Sequence, residues 1–197
     1  MYNYRKLTQQ EKEEVLTYRR LLGLPLHEPP HYLRENNLYL LTAANYEHRW
    51  IMQNEERRVE FTWKLLQWMT EYCQAHIYAF CILPNHYHVL SRVDLNLFRQ
   101  WIGKLNNGTS TQWNREDNRR GRRVWYRFSD RGIRNEDHFY ATLNYIHYNP
   151  VKHKHATYID EWRCSSIHAY LEQYGHETMI ELAERYPLYH YGDNWDK

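Results

Sequence analysis

Two short segments carry residue types that could do chemistry together. The first is His86-Tyr87-His88. In a β-strand residues i and i+2 project from the same face, so two imidazoles at this spacing converge on one metal ion. An H-x-H pair is a weak signal by itself, because the chain has 13 histidines and Lys152-His153-Lys154-His155 contains a second such pair. The second segment is Tyr145-Ile146-His147-Tyr148-Asn149-Pro150. Four apart on a helix, Tyr145 and Asn149 share a face, which would present a phenol nucleophile and an oxygen ligand side by side. The bland alternative is that Tyr145 packs in a core and Asn149 ends a helix, since proline disfavours helical geometry at the residue before it.

The elements that must position these residues can be read from period and punctuation. Thr8 with Glu11 forms a capping-box pattern ahead of a short helix to about Arg20, which Gly23 and Pro25 end. Residues 24–35, with Pro25, Pro29 and Pro30, read as an extended arm. Residues 37–44 read as a strand, and residues 55–74 as a helix with Val59, Trp63, Leu66 and Met69 on its apolar face. Residues 76–83 form an apolar run of strand length, Pro84-Asn85 signals a turn, and residues 86–93 resume strand character, which predicts a hairpin of two central strands. Helical spacing returns at residues 95–105, a short strand is expected at residues 124–128, and Asn135 caps a last major helix. Glu136 and Asp137 suit the first turn of that helix, and Pro150 should close it. This order fits an α+β fold, a ferredoxin-like split βαβ antiparallel sheet with helices on one face. Residues 1–35 would be an N-terminal helix and arm, residues 36–171 the domain that carries both segments, and residues 172–197 a C-terminal extension. The His86 and His88 side chains are expected on one face of a central strand, directed at the Tyr145 helix.

Composition narrows the class. The 197 residues suffice for one well-filled domain with end extensions. No apolar run approaches the roughly 20 residues that span a bilayer, and the N-terminus lacks a secretory core, so a soluble, cytoplasmic protein is expected. Cys73, Cys81 and Cys164 are odd in number and widely spaced, which argues against a disulfide framework or a C-x-x-C metal motif. A net charge of +2 is too small to indicate nucleic acid, but the charge is uneven. Residues 115–134 hold eight arginines against Glu116, Asp117 and Asp130, interleaved with Trp113, Trp125, Tyr126 and Phe128. Such a stretch is either a solvated basic loop or a nucleic-acid groove.

Taken together, the motifs resemble the REP-associated tyrosine transposases of the HUH single-tyrosine class. Leu83-Pro84-Asn85-His86-Tyr87-His88-Val89-Leu90 is similar to that family's strand-borne LPNHxHLL block. Tyr145-Ile146-His147-Tyr148-Asn149-Pro150-Val151-Lys152-His153 is similar to its YIHxNPVKHG block, and Trp125-Tyr126-Arg127-Phe128 with Ile133-Arg134 to the segment before it. Lys154 stands where the family often has glycine. The resemblance covers residues 37–171.

It implies a metal-dependent single-stranded DNA endonuclease and strand transferase that cleaves hairpin-type DNA through a 5′-phosphotyrosine. Tyr145 would be the nucleophile, and His86, His88 and Asn149 the ligands of Mg²⁺ or Mn²⁺. A phenol of pKa about 10 is a poor nucleophile and a phosphodiester repels attack, so a divalent cation answers both problems. Two imidazoles and an amide, with no anionic ligand, suit an exchangeable hard cation better than a closed zinc site. Arg115, Arg119, Arg120, Arg122, Arg123, Trp125, Arg127 and Arg134 would contact DNA with REP-like hairpins, and the working unit would be a monomer. Two other readings remain: a binding-only relative that needs neither Tyr145 nor metal, and a zinc hydrolase using His86, His88 and one of His147, His153 or His155.

Overall fold

The computed structural model describes residues 7–21, 37–189 and 191–192. The expected arm at residues 24–35 lies outside them. Helix α1 (Gln9–Leu21) carries the anticipated capping box, with Thr8 N–H donating to Glu11 Oε2 at 2.7 Å and Glu11 N–H to Thr8 Oγ1 at 3.3 Å. Then follow β1 (Leu38–Ala44), α2 (Glu55–Cys73), β2 (His76–Ile82), β3 (His86–Arg92), α3 (Leu95–Glu116), β4 (Ser129–Gly132), α4 (Glu136–Lys152) and α5 (Ile167–Arg185).

The four strands form one antiparallel sheet in the order β2-β3-β1-β4, which keeps β3 central but corrects the expectation for β2, an edge strand. Each βαβ unit is therefore split by a strand of the other, as expected: β3 lies between β1 and β2, and β1 between β3 and β4. Side-chain caps start the helices. Asn54 accepts from Arg57 N–H, Asp94 from the N–H groups of Asn96 and Leu97, and Asn135 from His138 N–H.

Helices α2 and α3 cover one face of the sheet, where Phe61, Leu65, Met69, Phe98, Ile102 and Trp113 meet Tyr39, Leu41, Tyr87 and Val89. The expectation that all helices share that face needs correction. Helices α4 and α5 cover the other face, packing Leu143, Ile146, Ile167 and Met179 against Leu40, Leu90, Ala79 and Cys81. The physical reason is visible in β1 and β3. Strands buried on both faces show no apolar–polar alternation, and LYLLTAA has none.

Further boundaries differ from the sequence reading. Helix α3 continues past Leu105 to Glu116, with Thr109 and Trp113 on its buried side. At residues 124–128 there is only a single bridge, Trp125 to Asn45, and the fourth strand is Ser129–Gly132. That strand, SDRG, pairs through its backbone with β1 and carries no apolar pattern to announce itself. Helix α4 runs through Pro150 to Lys152 instead of closing at it, so burial of this end of the helix outweighs the missing N–H and the crowding that a proline imposes on the preceding turn. On α2 the buried residues are Arg58, Phe61, Leu65, Met69 and Cys73, so the apolar face is rotated and Trp63 is 72% exposed. Helix α5 passes residue 171, where the extension was expected to begin, and breaks at Gly175, whose φ of 79° is left-handed. No described helix is long and apolar enough to cross a membrane.

Candidate active site

Strand β3 enters the sheet from a tight turn in which Leu83 N–H donates to His86 C=O at 2.8 Å. The loop after β1 holds that turn from outside. Asn45 N–H reaches Asn85 C=O, Met52 N–H reaches Pro84 C=O, and the Asn85 amide donates to His48 C=O. His86 and His88 are thereby fixed opposite Ala44 and Thr42 of β1, on the sheet face that α4 covers. Their rings lie 4.9 Å apart at 80°. From α4, Tyr145 and Asn149 project to the same point, and all four residues are at most 2% exposed.

Each imidazole is anchored through Nδ1 and turns Nε2 inward. His86 Nδ1 lies 2.6 Å from Asn85 Oδ1, and its Nε2 lies 3.3 Å from Asn149 Oδ1. His88 Nδ1 lies 2.8 Å from Thr42 Oγ1, and its Nε2 lies 3.5 Å from the Tyr145 hydroxyl. The Asn85 contact requires His86 Nδ1 to carry a proton, because a carbonyl oxygen only accepts. With Nδ1 protonated in a neutral ring, His86 Nε2 is an acceptor facing a second acceptor, Asn149 Oδ1. Two buried lone pairs in opposition are unfavourable, and the conflict is relieved by a cation between them, by a second ring proton, or by turning the Asn149 amide so that its otherwise unpartnered Nδ2 donates to His86. Anchored outer nitrogens and converging inner ones are the arrangement in which metal-binding histidines are held. The donor set thus fits a hard divalent cation. Among the described residues no group of three or more histidine, cysteine or carboxylate side chains could hold a metal.

The other histidines are spread apart. His147 is buried on α4 with Nε2 2.9 Å from Ser166 Oγ, and burial pushes its pKa down to about 3. His153 stands 5.0 Å from His86, ring to ring, whereas His155 packs against Trp50 and Trp162.

Tyr145 is enclosed by the C-terminal segment. The Tyr191 ring lies 5.6 Å from it, Lys152 Nζ sits 4.7 Å above its ring, and Lys152 also donates to Gly192 C=O at 2.9 Å. Gly192, at φ +80°, presses so closely that a Cβ there would overlap the Tyr145 ring. Arg131 of β4 interacts electrostatically with both Tyr145 and Tyr191.

The basic stretch divides. Arg119, Arg120, Arg122 and Arg123 line a cleft of about 1430 Å³ with Tyr46, Arg49, Trp50 and Arg57. Within it Arg122 bonds Asn114 and Asp117, and Arg57 bonds Glu116 and Asp117, holding the Asp117 carboxyl below its usual range. Arg115, Arg127 and Arg134 are exposed but outside the cleft lining. Trp125 corrects the expectation of a DNA-facing aromatic. It is 7% exposed, its ring packs on Phe61 and Trp113, and its indole N–H donates to Thr109 Oγ1 at 3.0 Å. Its apolar body is worth more in the core than on a wet surface.

Sequence reasoning passed over Thr42, Asn85, Lys152 and Trp50. Asn85 could have been found as the neighbour of His86. Thr42 could not, since its place depends on the β1–β3 register.

No family model matches the chain. Over 101 residues it is 34% identical to a protein of Haemophilus influenzae provisionally named a REP-associated tyrosine transposase, a match covering 46% of this chain and 57% of that relative. A solved REP-associated tyrosine transposase, bound to a REP hairpin, aligns with a TM-score of 0.56 at 19% identity. The chain resembles the REP-associated tyrosine transposases in sequence and in fold. The fold alignment takes in 72% of this chain and 83% of the solved transposase, so the shared architecture extends well beyond the two motifs.

Proposed function

We propose that this chain is a metal-dependent, single-stranded DNA endonuclease and strand transferase acting on hairpin-forming DNA, with Tyr145 as nucleophile and His86, His88 and Asn149 as ligands of Mg²⁺ or Mn²⁺. The observation that carries this reading is the meeting of the two imidazole Nε2 atoms, the Asn149 amide and the Tyr145 hydroxyl at one buried point. Its place on a fold shared with a transposase bound to a REP hairpin supports the same substrate class. The domain is taken as residues 36–171, with the C-terminal residues as an extension, and the working unit as a cytoplasmic, nucleoid-associated monomer.

The reaction follows from the groups present. The Tyr145 oxygen attacks the phosphorus and loses its proton as the bond to the 3′-oxygen breaks, and that oxygen leaves as a hydroxyl. The DNA 5′-phosphate remains esterified to the phenol. Because the linkage keeps the energy of a phosphodiester, a second 3′-hydroxyl can reverse the step and join strands. A bound divalent cation would polarise the scissile phosphate and offset charge in the transition state. Asn85 and Thr42 hold the two rings in the required orientation, and Arg119, Arg120 and Arg123 supply positive charge for the backbone.

The test is incubation with single-stranded hairpin DNA with and without Mn²⁺, resolved on a denaturing gel. A covalent adduct that needs metal and maps to Tyr145 is expected. Binding without any adduct would favour a binding-only protein, and strand cleavage without an adduct would favour a hydrolase.

A further inference from the structure

Trp50 lies outside both sequence motifs and has no role in the chemistry above, yet its setting is unusual. It is 54% exposed, although its neighbours Ile51 and Met52 are 7% and 0% exposed. An exposed indole is not unusual by itself, but this one lines the arginine-rich cleft, where its flat apolar face with a polar edge is available to a ligand. The loop carrying it is not free to wander, being tied through Met52, Asn45 and His48 to the Pro84-Asn85 turn that leads into His86.

Two features meet at this ring. On one side is the cleft, where Arg119, Arg120 and Arg123 stand at the edge and Arg123 lies 4.6 Å over Tyr46. Of its four carboxylates, Glu116 and Asp117 are paired by Arg57 and Arg122 and Glu60 by Lys64, while Glu56 stands against the six arginines of the lining. Among the described residues Arg119 and Arg120 pair with no carboxylate, which leaves the edge cationic. On the other side a row of rings leads to the metal-site histidines: Trp50 to His155 at 5.2 Å, His155 to His153 at 6.2 Å, and His153 to His86 at 5.0 Å.

Resting on the nuclease reading, we propose that Trp50 is the platform on which a base of the unpaired DNA strand stacks as that strand passes from the cationic cleft to Tyr145. The occupant is a single-stranded deoxynucleotide segment. A base offers a flat π-face to an exposed indole while its phosphates need the neighbouring cations, a combination that a duplex, with its bases already stacked, does not present. Trp50 would then set which unpaired flank is held, leaving phosphate attraction to the arginines.

The experiment measures binding in a Tyr145→Phe background, so that cleavage does not interfere. The probes are a DNA hairpin with unpaired flanks and the same hairpin with a blunt end. Trp50→Ala should weaken binding of the flanked hairpin by about tenfold, the scale of one unstacked base, and leave the blunt hairpin unchanged. Trp50→Phe should restore most of the affinity, and the slope of log affinity against log salt should not move. Because the side chain is exposed, thermal melting of both variants should match the parent. Equal affinity of Trp50→Ala and parent for the flanked hairpin overturns the proposal, as does an equal loss on both DNAs. Failure of the parent to bind either hairpin overturns the nuclease reading itself, and this inference with it.

Discussion

At the scale of single residues the proposed reaction gives the two imidazoles and the phenol separable duties. Tyr145→Phe removes one hydroxyl and keeps the ring against His88, so metal binding should persist while adduct formation vanishes at every metal concentration. His86→Ala and His88→Ala should also stop cleavage, but raised Mn²⁺ should partly restore a single variant, because two of the three proposed ligands remain. Mapping the adduct to Tyr148, Tyr140 or Tyr87 instead would sink the assignment. Thr42→Val tests the anchoring of His88. Losing the hydroxyl 2.8 Å from Nδ1 should raise the Mn²⁺ needed for half-maximal adduct by about 10- to 100-fold with little change in melting temperature. An unchanged metal requirement would show that the ring is held by packing alone. These second partners were the part of the site least legible in the sequence. The period-two spacing of His86 and His88 is a local property of one strand, whereas Thr42 meets His88 across 46 residues of chain through strand register.

At the scale of elements, the basic stretch reads in sequence as one surface and is two. Its arginines alternate between holding the turn after α3 together and facing the cleft, a division that side-chain partners decide and composition does not. Arg122→Ala should cost stability, because it removes one of the two arginines on Asp117 and the donor to Asn114 Oδ1 at a site where the Arg122 side chain is only 16% exposed. Arg119→Ala and Arg120→Ala should leave melting unchanged and flatten the salt dependence of single-strand binding, by about 0.7 in slope for each phosphate no longer neutralised. The measurement is a salt titration of hairpin affinity beside a thermal melt; identical behaviour of all three variants would reject the division. Strands and helices with a strong period were legible, including both strands of the hairpin, although β2 lies at the sheet edge rather than centrally, and the capped starts of α1 and α4. The missed strand, Ser129–Gly132, lacks any apolar signature because it is short, lies at the sheet edge and pairs only through its backbone. Pro150 misled for a related reason. Its local cost falls on the preceding turn, and the burial of Tyr145, Ile146, Asn149 and Pro150 itself overrides it.

At the scale of the whole molecule, helices on both sheet faces place the proposed catalytic groups in an interior layer between β3 and α4 rather than on an open surface. The C-terminal segment completes that enclosure with Tyr191 and Gly192. Gly192→Ala places a methyl group where the Tyr145 ring lies, on backbone that a non-glycine residue adopts only under strain. We expect this variant to melt at a lower temperature and to form the DNA adduct several times faster than the parent. Slower adduct formation with unchanged melting would mean that the turn assists the reaction instead of covering it.

That single missing side chain also has a kinetic meaning. If Tyr145 is the nucleophile proposed here, a phenol only 1% exposed has to be uncovered before it meets a phosphate, and departure of the Gly192 turn would be a step of the reaction with its own rate. In single-turnover experiments at saturating Mn²⁺, the observed rate should then reach a ceiling as DNA concentration rises. The ceiling would belong to the protein alone, the same for hairpins of different sequence, and strand choice would show only in the concentration at which it is approached.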